Sequence, residues 1–462
     1  MKFTSLTEAH IKALRAMVDA DRFSTGQSVL DLHARDQSSH PRSRPEAVIW
    51  PLSDTEISNI LKYANAQGIP ITGWGSGSSL EGNPIPVKHG IVLDFSRMNR
   101  ILKIREEDFQ ADVEPGVVYQ DLNEKLKHKG LFFPPDPGAR ATIGGMIANN
   151  ASGTRTVYYG STKDYVLKLT AVMATGEIVE MGTRSSKTSS GYDLIHLMVG
   201  SEGTLGIVVK ATVRLVGLPP EFSAAVVTFP SVEAAGKAVF EIKRSGLNPA
   251  ALELLGPEAV ALMNREENLD LNVAPTLFIE FHGITTSQLS EVLEMAEEVC
   301  RAGGCLEFRP GLGRAERNRI FKARHGLGET ITRSHPGCRI LSTDVAVPNS
   351  QYPELIKTIH SQVDAHKIIG YTLSHAGDGN VHLVIAGKKG DKKEWDKIDR
   401  VVNTVVTRAL ELGGTATGEH GVGIGKRKYM ASEHGSSLQW MQRLKSLFDP
   451  NGILNPGKIF PD

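Results

Sequence analysis

The chain has 462 residues, 40% apolar and 23% charged, with 52 Lys+Arg against 52 Asp+Glu. That length exceeds one ordinary core and predicts two or three domains, while the even charge balance excludes the long-range positive field that nucleic acid would require. Three cysteines, Cys300, Cys305 and Cys338, are too few and too irregular for a disulfide framework or a cysteine-based metal site, which points to a reducing compartment.

The opening stretch to Phe23 has no long apolar run and carries several acids. It reads as an amphipathic helix and not as a signal peptide, with helix expected up to the polar run Asp36 to Arg44. No stretch reaches the roughly 20 apolar residues that span a bilayer, so the expectation is a cytoplasmic protein. Strand and helix then alternate. Val48 to Trp50 is a strand stopped by Pro51, Ser53 and Glu56 form a capping box, and Ile57, Ile60, Leu61 and Ala64 recur at helical spacing before Gly68. Ile69 to Thr72 is the next strand and leads into Gly73-Trp74-Gly75-Ser76-Gly77-Ser78-Ser79. Strands follow at Ile91 to Phe95, Ile101 to Arg105 and Phe109 to Val113, then a helix from Val118 to Lys129 closed by Gly130.

Leu218-Pro219-Pro220 is the best linker. Beyond it the pattern restarts, with strands at Ala225 to Phe229, Ala251 to Leu255 and Thr276 to His282 separated by helices, which predicts an α+β domain with a largely antiparallel sheet. A terminal helix carries the apolar stripe Leu438, Met441, Leu444 and Phe448, and Asp449-Pro450 ends it.

Three glycine-rich segments stand out. Gly73 to Ser79 follows a strand directly, so its backbone can approach an anion and converge N–H groups on it. A Rossmann fingerprint would need glycine where Ser78 or Leu80 stands, and a Walker loop would need lysine at Asn83. Thr142 to Gly153 places Gly144 and Gly145 where a helix can begin, and Gly200 to Gly206 offers a third close approach on a strand edge. Together they suit one long phosphate-bearing cofactor. Farther on, His375-Ala376-Gly377-Asp378-Gly379-Asn380-Val381-His382 reads as a hairpin that brings two imidazoles to one end, and Glu419-His420 lies in another glycine-rich stretch. Two histidines and a carboxylate suit Zn²⁺, Mn²⁺ or Fe²⁺, with turn histidines bonded to backbone as the alternative.

Gly73 to Asn83, Val113-Glu114-Pro115-Gly116, Pro135 to Gly138, Gly200 to Gly206, His375 to His382, Gly418 to Gly423 and Asn455-Pro456-Gly457-Lys458 together resemble the FAD-linked D-2-hydroxy-acid dehydrogenases. These belong to the vanillyl-alcohol-oxidase/p-cresol-methylhydroxylase superfamily, and the similarity extends from about Arg44 to the carboxyl terminus. The resemblance implies an α+β protein. Its parts are a helical lead-in (1–44), a two-subdomain FAD-binding domain of the p-cresol-methylhydroxylase type (45–218), a cap domain with an antiparallel sheet (219–418) and a carboxyl-terminal segment returning to the flavin (419–462). It implies oxidation of a small D-2-hydroxy acid, D-lactate foremost, with electrons passed to a quinone, cytochrome or electron-transfer protein. Relatives of the glycolate oxidase and D-2-hydroxyglutarate dehydrogenase kind, or a non-catalytic FAD-binding subunit, are the alternatives.

By the same resemblance Trp74, Gly75, Ser76, Gly77, Ser78 and Ser79 wrap the pyrophosphate. Pro115, Thr142, Gly145, Gly153, Tyr159, Glu202, Gly203 and Ile207 line the cofactor, and Asn455 reaches the flavin ring. His375, His382 and Glu419 hold a divalent metal, zinc or manganese. His420 is the general base, and Arg324 clamps the substrate carboxylate, with His375 and His420 beside the substrate. Gly328 and Ser342 stand where diacid-specific members carry threonine and lysine, which favours a short monocarboxylate. Residues 73–82 hold neither His nor Cys, so noncovalent FAD is expected. A homodimer and a peripheral position on a membrane's inner face are compatible with the same resemblance.

Overall fold

The computed structural model describes residues 3–461, apart from the side chains of Ala323 and His325. Met1, Lys2 and Asp462, and the His325 side chain of the Phe321 to His325 motif, therefore lie outside the described residues. The chain divides into two compact units. The first holds the residues up to Ser152, Ser161–Leu218 and Glu419 onward; the second holds Gly153–Gly160 and Pro219–Gly418.

The first unit contains two main sheets. In the four-stranded one, Ala47–Ile49, Ile91–Asp94 and Ile71–Trp74 run parallel, and the short strand Phe23–Ser24 joins antiparallel. The helix Asp54–Gln67 covers this sheet. Ser53 Oγ accepts from the Glu56 amide at its start, and Gly68 ends it at φ 66°. Its Ile57, Ile60, Leu61 and Ala64 pack on Ile71, Ile91 and Leu93 in one apolar core. The second sheet is antiparallel, in the order Ile101–Arg105, Gln110–Val113, Ile207–Arg214, Val166–Val172, Ile178–Gly182.

The capping box forms only on its Ser53 side, and the structure departs further from the sequence expectations at three places in this unit. The amino terminus is not helical throughout: one helix spans Glu8–Arg15, a second only Gln27–Leu32, and Phe23–Ser24 between them is recruited as a sheet edge. An edge strand needs a partner, and Val48 and Ile49 supply it, an interaction no local pattern reveals. The strand expected at Ile69 begins instead at Ile71. The Ile69 amide still bonds the Ala64 carbonyl, and Pro70 has no amide to give. Gly73 and Trp74 then belong to the strand, so the loop proper starts at Gly75. The helix expected from Val118 to Lys129 spans Tyr119–Leu126 and closes in a 3-10 turn, Lys127–Lys129.

The second unit is built on an antiparallel sheet of eight strands. Its main path runs Glu307–Leu312, Glu221–Thr228, Thr276–Gly283, Ala251–Leu255, Ile369–His375, Asn380–Lys388, Cys338–Ser342, with Val345–Ala346 pairing on Asn380–Lys388. Directly opposed residues of an antiparallel pair share a face. Ala251 opposes Glu280, Glu253 opposes both Phe278 and His375, and Leu373 opposes His382. One face therefore carries an apolar core (Val226, Leu255, Phe278, Leu373, Val384), and toward one end of the strands the polar group Glu253, Glu280, His282, His375 and His382. The longest helix, Arg314–Ser334, contributes Phe321 to that core and was not among the expected elements. Its charges interrupt the apolar period that would have marked it.

The carboxyl terminus returns into the first unit beside the Ile71–Trp74 strand, through the parallel bridge Ile71 to Leu454. The return is held by a buried polar knot. Glu202, left-handed at φ 52°, turns its carboxylate inward to accept from the amides of Val422 and Gly423 and from Asn83 Nδ2. Asn455 Nδ2 donates to the carbonyls of Asn83 and Glu202, and Lys458 Nζ donates to the Ile85 carbonyl and Asn455 Oδ1. Burial pushes Glu202 above the usual carboxylate range, although the Val422, Asn83 and Gly423 contacts lower it.

Burial also pushes the Lys458 ammonium down from 10.5 to about 7, against the upward pull of Glu202 and Asp36. Unfolded lysine keeps its proton up to about pH 10.4. Between those two values the unfolded chain binds more protons than the native one, so stability rises with pH across that window and falls as pH drops toward 7. Replacing Lys458 with Met should flatten this rise by about one proton's worth of slope. Urea denaturation from pH 7 to 9.5 at fixed FAD concentration checks it, and an unchanged slope would count against a neutralised lysine.

Candidate active site

The first unit contains one cleft, open to solvent and lined largely by glycine and small polar residues. Trp74, Gly75, Ser76, Gly77, Ser78, Ser79, Pro115, Thr142, Gly145, Glu202, Gly203, Ile207 and Asn455 all line it, together with Glu419 and His420. Gly153 and Tyr159 belong instead to the second unit. Among the described residues, no protein acceptor meets the backbone amides from Gly75 to Ser79. A run of unsatisfied amides facing a cleft is the donor set that a pyrophosphate requires. A Cβ on Gly75 would stand 2.4 Å from Thr142 Oγ1, and one on Gly77, at φ 65°, would stand 2.6 Å from the Trp74 ring. The loop therefore needs glycine at both positions. The residues present fit a dinucleotide phosphate.

The structure changes the role of three expected contacts. The helix Ile143–Asn149 was expected to offer free amides. Its first three are already taken: Ile143 and Gly144 donate to the carbonyls of Val117 and Pro115, and Gly145 to Thr142 Oγ1. It supplies close approach and not anion binding. The Trp74 indole is buried with Val48 and Val92, lies 4.9 Å from the His33 ring and packs against the loop at Gly77. Both amide hydrogens of Asn455 are donated to protein carbonyls, so its side chain holds the wall of the cleft in place.

Two titratable groups stand at this cleft. Glu419 accepts from Ser152 Oγ at 3.2 Å, and the His420 carbonyl accepts from Asn149 Nδ2 at 3.2 Å. His420 Nε2 lies 3.9 Å from Glu419 Oε1.

In the second unit the hairpin forms as expected. Ile369–His375 and Asn380–Lys388 pair antiparallel, and the His375 and His382 ring centroids lie 5.2 Å apart, edge to face. Their tautomers follow from their partners. His375 Nδ1 lies 2.7 Å from Glu253 Oε1, and His382 Nδ1 lies 3.2 Å from the Thr343 carbonyl. Both partners are acceptors, so each Nδ1 carries a hydrogen. A neutral imidazole held in that way ligates a metal through Nε2, and a carboxylate behind the ring raises its basicity.

Arg324 projects from the Arg314–Ser334 helix onto the same sheet face, where its Nη2 donates to Glu253 Oε2 at 2.5 Å. Its buried Nε has no partner among the described residues, so this guanidinium retains donor capacity for an anion. Glu253 itself has no exposed surface. Burial raises its pKa, but the His375 and Arg324 charges prevail and hold the carboxyl below its usual range.

Sequence reasoning missed Glu253, Glu280, His282 and Asp344, which hold the visible residues in place. Glu280 is fully buried between His282 and Arg317, and Asp344 accepts from Asn380 and Thr417. A signal existed. Each glutamate interrupts an otherwise apolar strand, in Ala251-Leu252-Glu253-Leu254-Leu255 and Leu277-Phe278-Ile279-Glu280-Phe281, where a charge survives only if paired.

Comparison with known proteins identifies the two kinds of domain. Residues 218–459 match the carboxyl-terminal domain of FAD-linked oxidases, and residues 45–182 match an FAD-binding domain. A probable mitochondrial D-lactate dehydrogenase of Danio rerio is 38% identical over 99% of this chain and 92% of its own length. The glycolate oxidase subunit GlcD of Bacillus subtilis is 36% identical over 93% and 92%. The solved 4-ethylphenol oxidase of Gulosibacter chungangensis shares the fold with a TM-score of 0.78 at 19% identity, over 98% of this chain and 97% of the other. An unpartnered amide run facing a cleft and two whole-length relatives lead to one assignment: the chain belongs to the FAD-linked oxidase family and is an FAD-dependent oxidoreductase.

Proposed function

We propose that the protein oxidises a small D-2-hydroxy acid, D-lactate foremost, to the 2-oxo acid. The observation that carries this reading is the set Arg324, His375 and His382 over one sheet face, with the first retaining a donor at Nε and the two imidazoles each held through Nδ1. A 2-hydroxy acid presents a carboxylate and an adjacent hydroxyl, which are the groups such a set can bind. Whole-length similarity to proteins named D-lactate dehydrogenase supports the same substrate class.

Bound FAD supplies a two-electron acceptor for hydride, and a divalent cation, zinc or manganese, would supply charge that favours an alkoxide. The chain's own residues have the following roles in this proposal. The pyrophosphate is held noncovalently by the Gly75 to Ser79 amides, and His375, His382 and Glu419 are the metal ligands. Arg324 orients the carboxylate by a charge-assisted contact. His420 accepts the hydroxyl proton, since imidazole titrates near neutral pH. Electrons then pass to a quinone, cytochrome or electron-transfer protein. Gly328 is exposed on its helix, and Ser342 Oγ donates to the Thr343 carbonyl. Neither position offers a cation for a second carboxylate, which favours a monocarboxylate over a five-carbon diacid.

Anaerobic mixing of the holoenzyme with a panel of D- and L-2-hydroxy acids tests the proposal. D-lactate should bleach the oxidised flavin band and L-lactate should not; failure of every D-acid would sink it. In the same assay His420→Ala should slow bleaching at least about a hundredfold, the lower range for a general base, and a loss under about tenfold would remove that role. Prolonged chelation should abolish bleaching and Mn²⁺ or Zn²⁺ should restore it, whereas full activity without metal would leave the histidine pair structural. Acid precipitation should release the yellow chromophore, and a coloured pellet would refute noncovalent attachment.

A further inference from the structure

The residues that follow the helix Gln27–Leu32 grip the glycine loop of the first unit at both ends, although they lie outside residues 45–182, which match the FAD-binding domain. At the loop's entry, Trp74 stands opposite Asp94 on the neighbouring parallel strand. His33 is buried over this pair: its Nε2 lies 3.0 Å from Asp94 Oδ2, and its ring lies 4.9 Å from the Trp74 indole. His33 Nδ1 lies 2.8 Å from the Val29 carbonyl of its own helix, so the ring is fixed at both nitrogens. At the loop's exit, the Gln37 amide donates to the Ser79 carbonyl at 3.1 Å, and Asp36 Oδ2 accepts from the Gly82 amide at 2.8 Å. Asp36 Oδ1 accepts from the Ser38 amide, which sets the direction of the side chain.

Asp94 anchors the entry. Burial raises its pKa, but the hydrogen bonds from His33 and Ser96 outweigh that and hold it below the usual carboxylate range. It is ionised, and it accepts from His33 Nε2, from Trp50 Nε1 at 2.7 Å and from the Ser96 amide at 2.8 Å. The position of the indole is passed on to the loop at Gly77, where a Cβ would stand 2.6 Å from Trp74 Cζ2. Between entry and exit lie the amides of Gly75 to Ser79, which no protein acceptor meets among the described residues. Unmet donors favour any rearrangement that finds them acceptors. The open shape of this loop must therefore be imposed from outside it.

We infer that the segment His33 to Gln37 is a positioning element of the cofactor site: it holds the Gly75 to Ser79 loop in the shape that accepts pyrophosphate, and so sets the affinity for FAD. This rests on the reading that those amides hold the pyrophosphate. Apparent affinity falls in proportion to the fraction of protein in the binding-competent shape. A loop released at either end spends less time with its amides converged, and every ligand bound through a pyrophosphate weakens by that same factor. His33 and Asp36 are positioning residues: they act through Trp74 and Gly82 and not on the cofactor itself.

The test is equilibrium release of FAD from the holoenzyme on serial dilution, read as flavin fluorescence, without and with added ADP. ADP carries the pyrophosphate but no flavin, so it competes only for the loop end of the site. Asp36→Ala removes the acceptor of the Gly82 amide and should raise the FAD Kd about 3–10-fold, the range of one hydrogen bond. His33→Gln keeps a donor for Asp94 but removes the ring beside Trp74, and should raise the FAD Kd by a similar factor, about 3–10-fold. The ADP inhibition constant should rise by the same factor as the FAD Kd in each variant. Thr7→Ala is the control: Thr7 is exposed and caps the helix Glu8–Arg15 of the same lead-in, so its loss should leave both affinities unchanged. Unaltered FAD affinity in the Asp36 and His33 variants, a weaker FAD with unaltered ADP, or an equal loss in Thr7→Ala overturns the inference. Should the glutamine variant not fold, the Asp36 variant and the control decide. If ADP fails to compete in the wild type, the pyrophosphate reading falls and this inference with it, whereas normal wild-type competition with unaltered variants overturns this inference alone.

Discussion

A carboxylate with no access to water, Glu253 in the middle of a sheet, is the constraint on which the chemistry of the second unit depends. Moving such a charge out of water costs several kcal/mol even after relaxation, and it is stable there only because His375 and Arg324 each give it a hydrogen. The bond is reciprocal in effect. Glu253 commits a His375 hydrogen to Nδ1, and it holds the long Arg324 side chain over the same face. Loss of Glu253 would therefore disturb both His375 and Arg324, because a buried arginine without its counter-ion is as costly as the carboxylate was.

Glu280 repeats the device two strand positions away. It too is fully buried and ionised between an arginine and a histidine, and it too selects a tautomer, this time placing the hydrogen on Nε2. The two histidines consequently turn opposite nitrogens to their carboxylates, His375 its Nδ1 and His282 its Nε2. An antiparallel sheet makes this economical. Opposed residues share a face, so carboxylates on adjacent strands can each serve a histidine on the same side without any loop insertion.

The first unit solves a different problem, which is to leave backbone amides unsatisfied without collapse. Gly75 to Ser79 can stay open because the walls around them are fixed from behind. Trp74 is buried on the far side of the sheet, and Glu202, Asn455 and Lys458 tie the returning carboxyl terminus to Asn83 and Ile85. The energetic cost of burying Lys458 and Glu202 is carried by that tie. Groups with strongly displaced titration in such a place serve rigidity as readily as reactivity.

Much of this was readable in one dimension. The His375 to His382 hairpin was, since alternating strands flank a Gly377-Asp378-Gly379 turn and the spacing alone aligns the rings. The glycine loop after a strand and its mismatch with Rossmann and Walker spacings were readable for the same reason: the information is local. The Arg314–Ser334 helix was not, because its charges hide the period that tertiary contact with Phe321 later imposes. Nor was the edge strand Phe23–Ser24, which exists only because Ala47–Ile49 lies beside it.

By itself, then, the chain's order of residues determined the local devices: turn, loop, cap and strand, each set by φ preferences and periodicity over a few positions. Tertiary structure decided protonation and direction. Which nitrogen of a histidine is committed to a hydrogen depends on an acceptor 122 residues away at Glu253 for His375 and 39 residues away at Thr343 for His382. No local pattern encodes such pairings, because a tautomer is chosen by whichever charge the fold places against the ring.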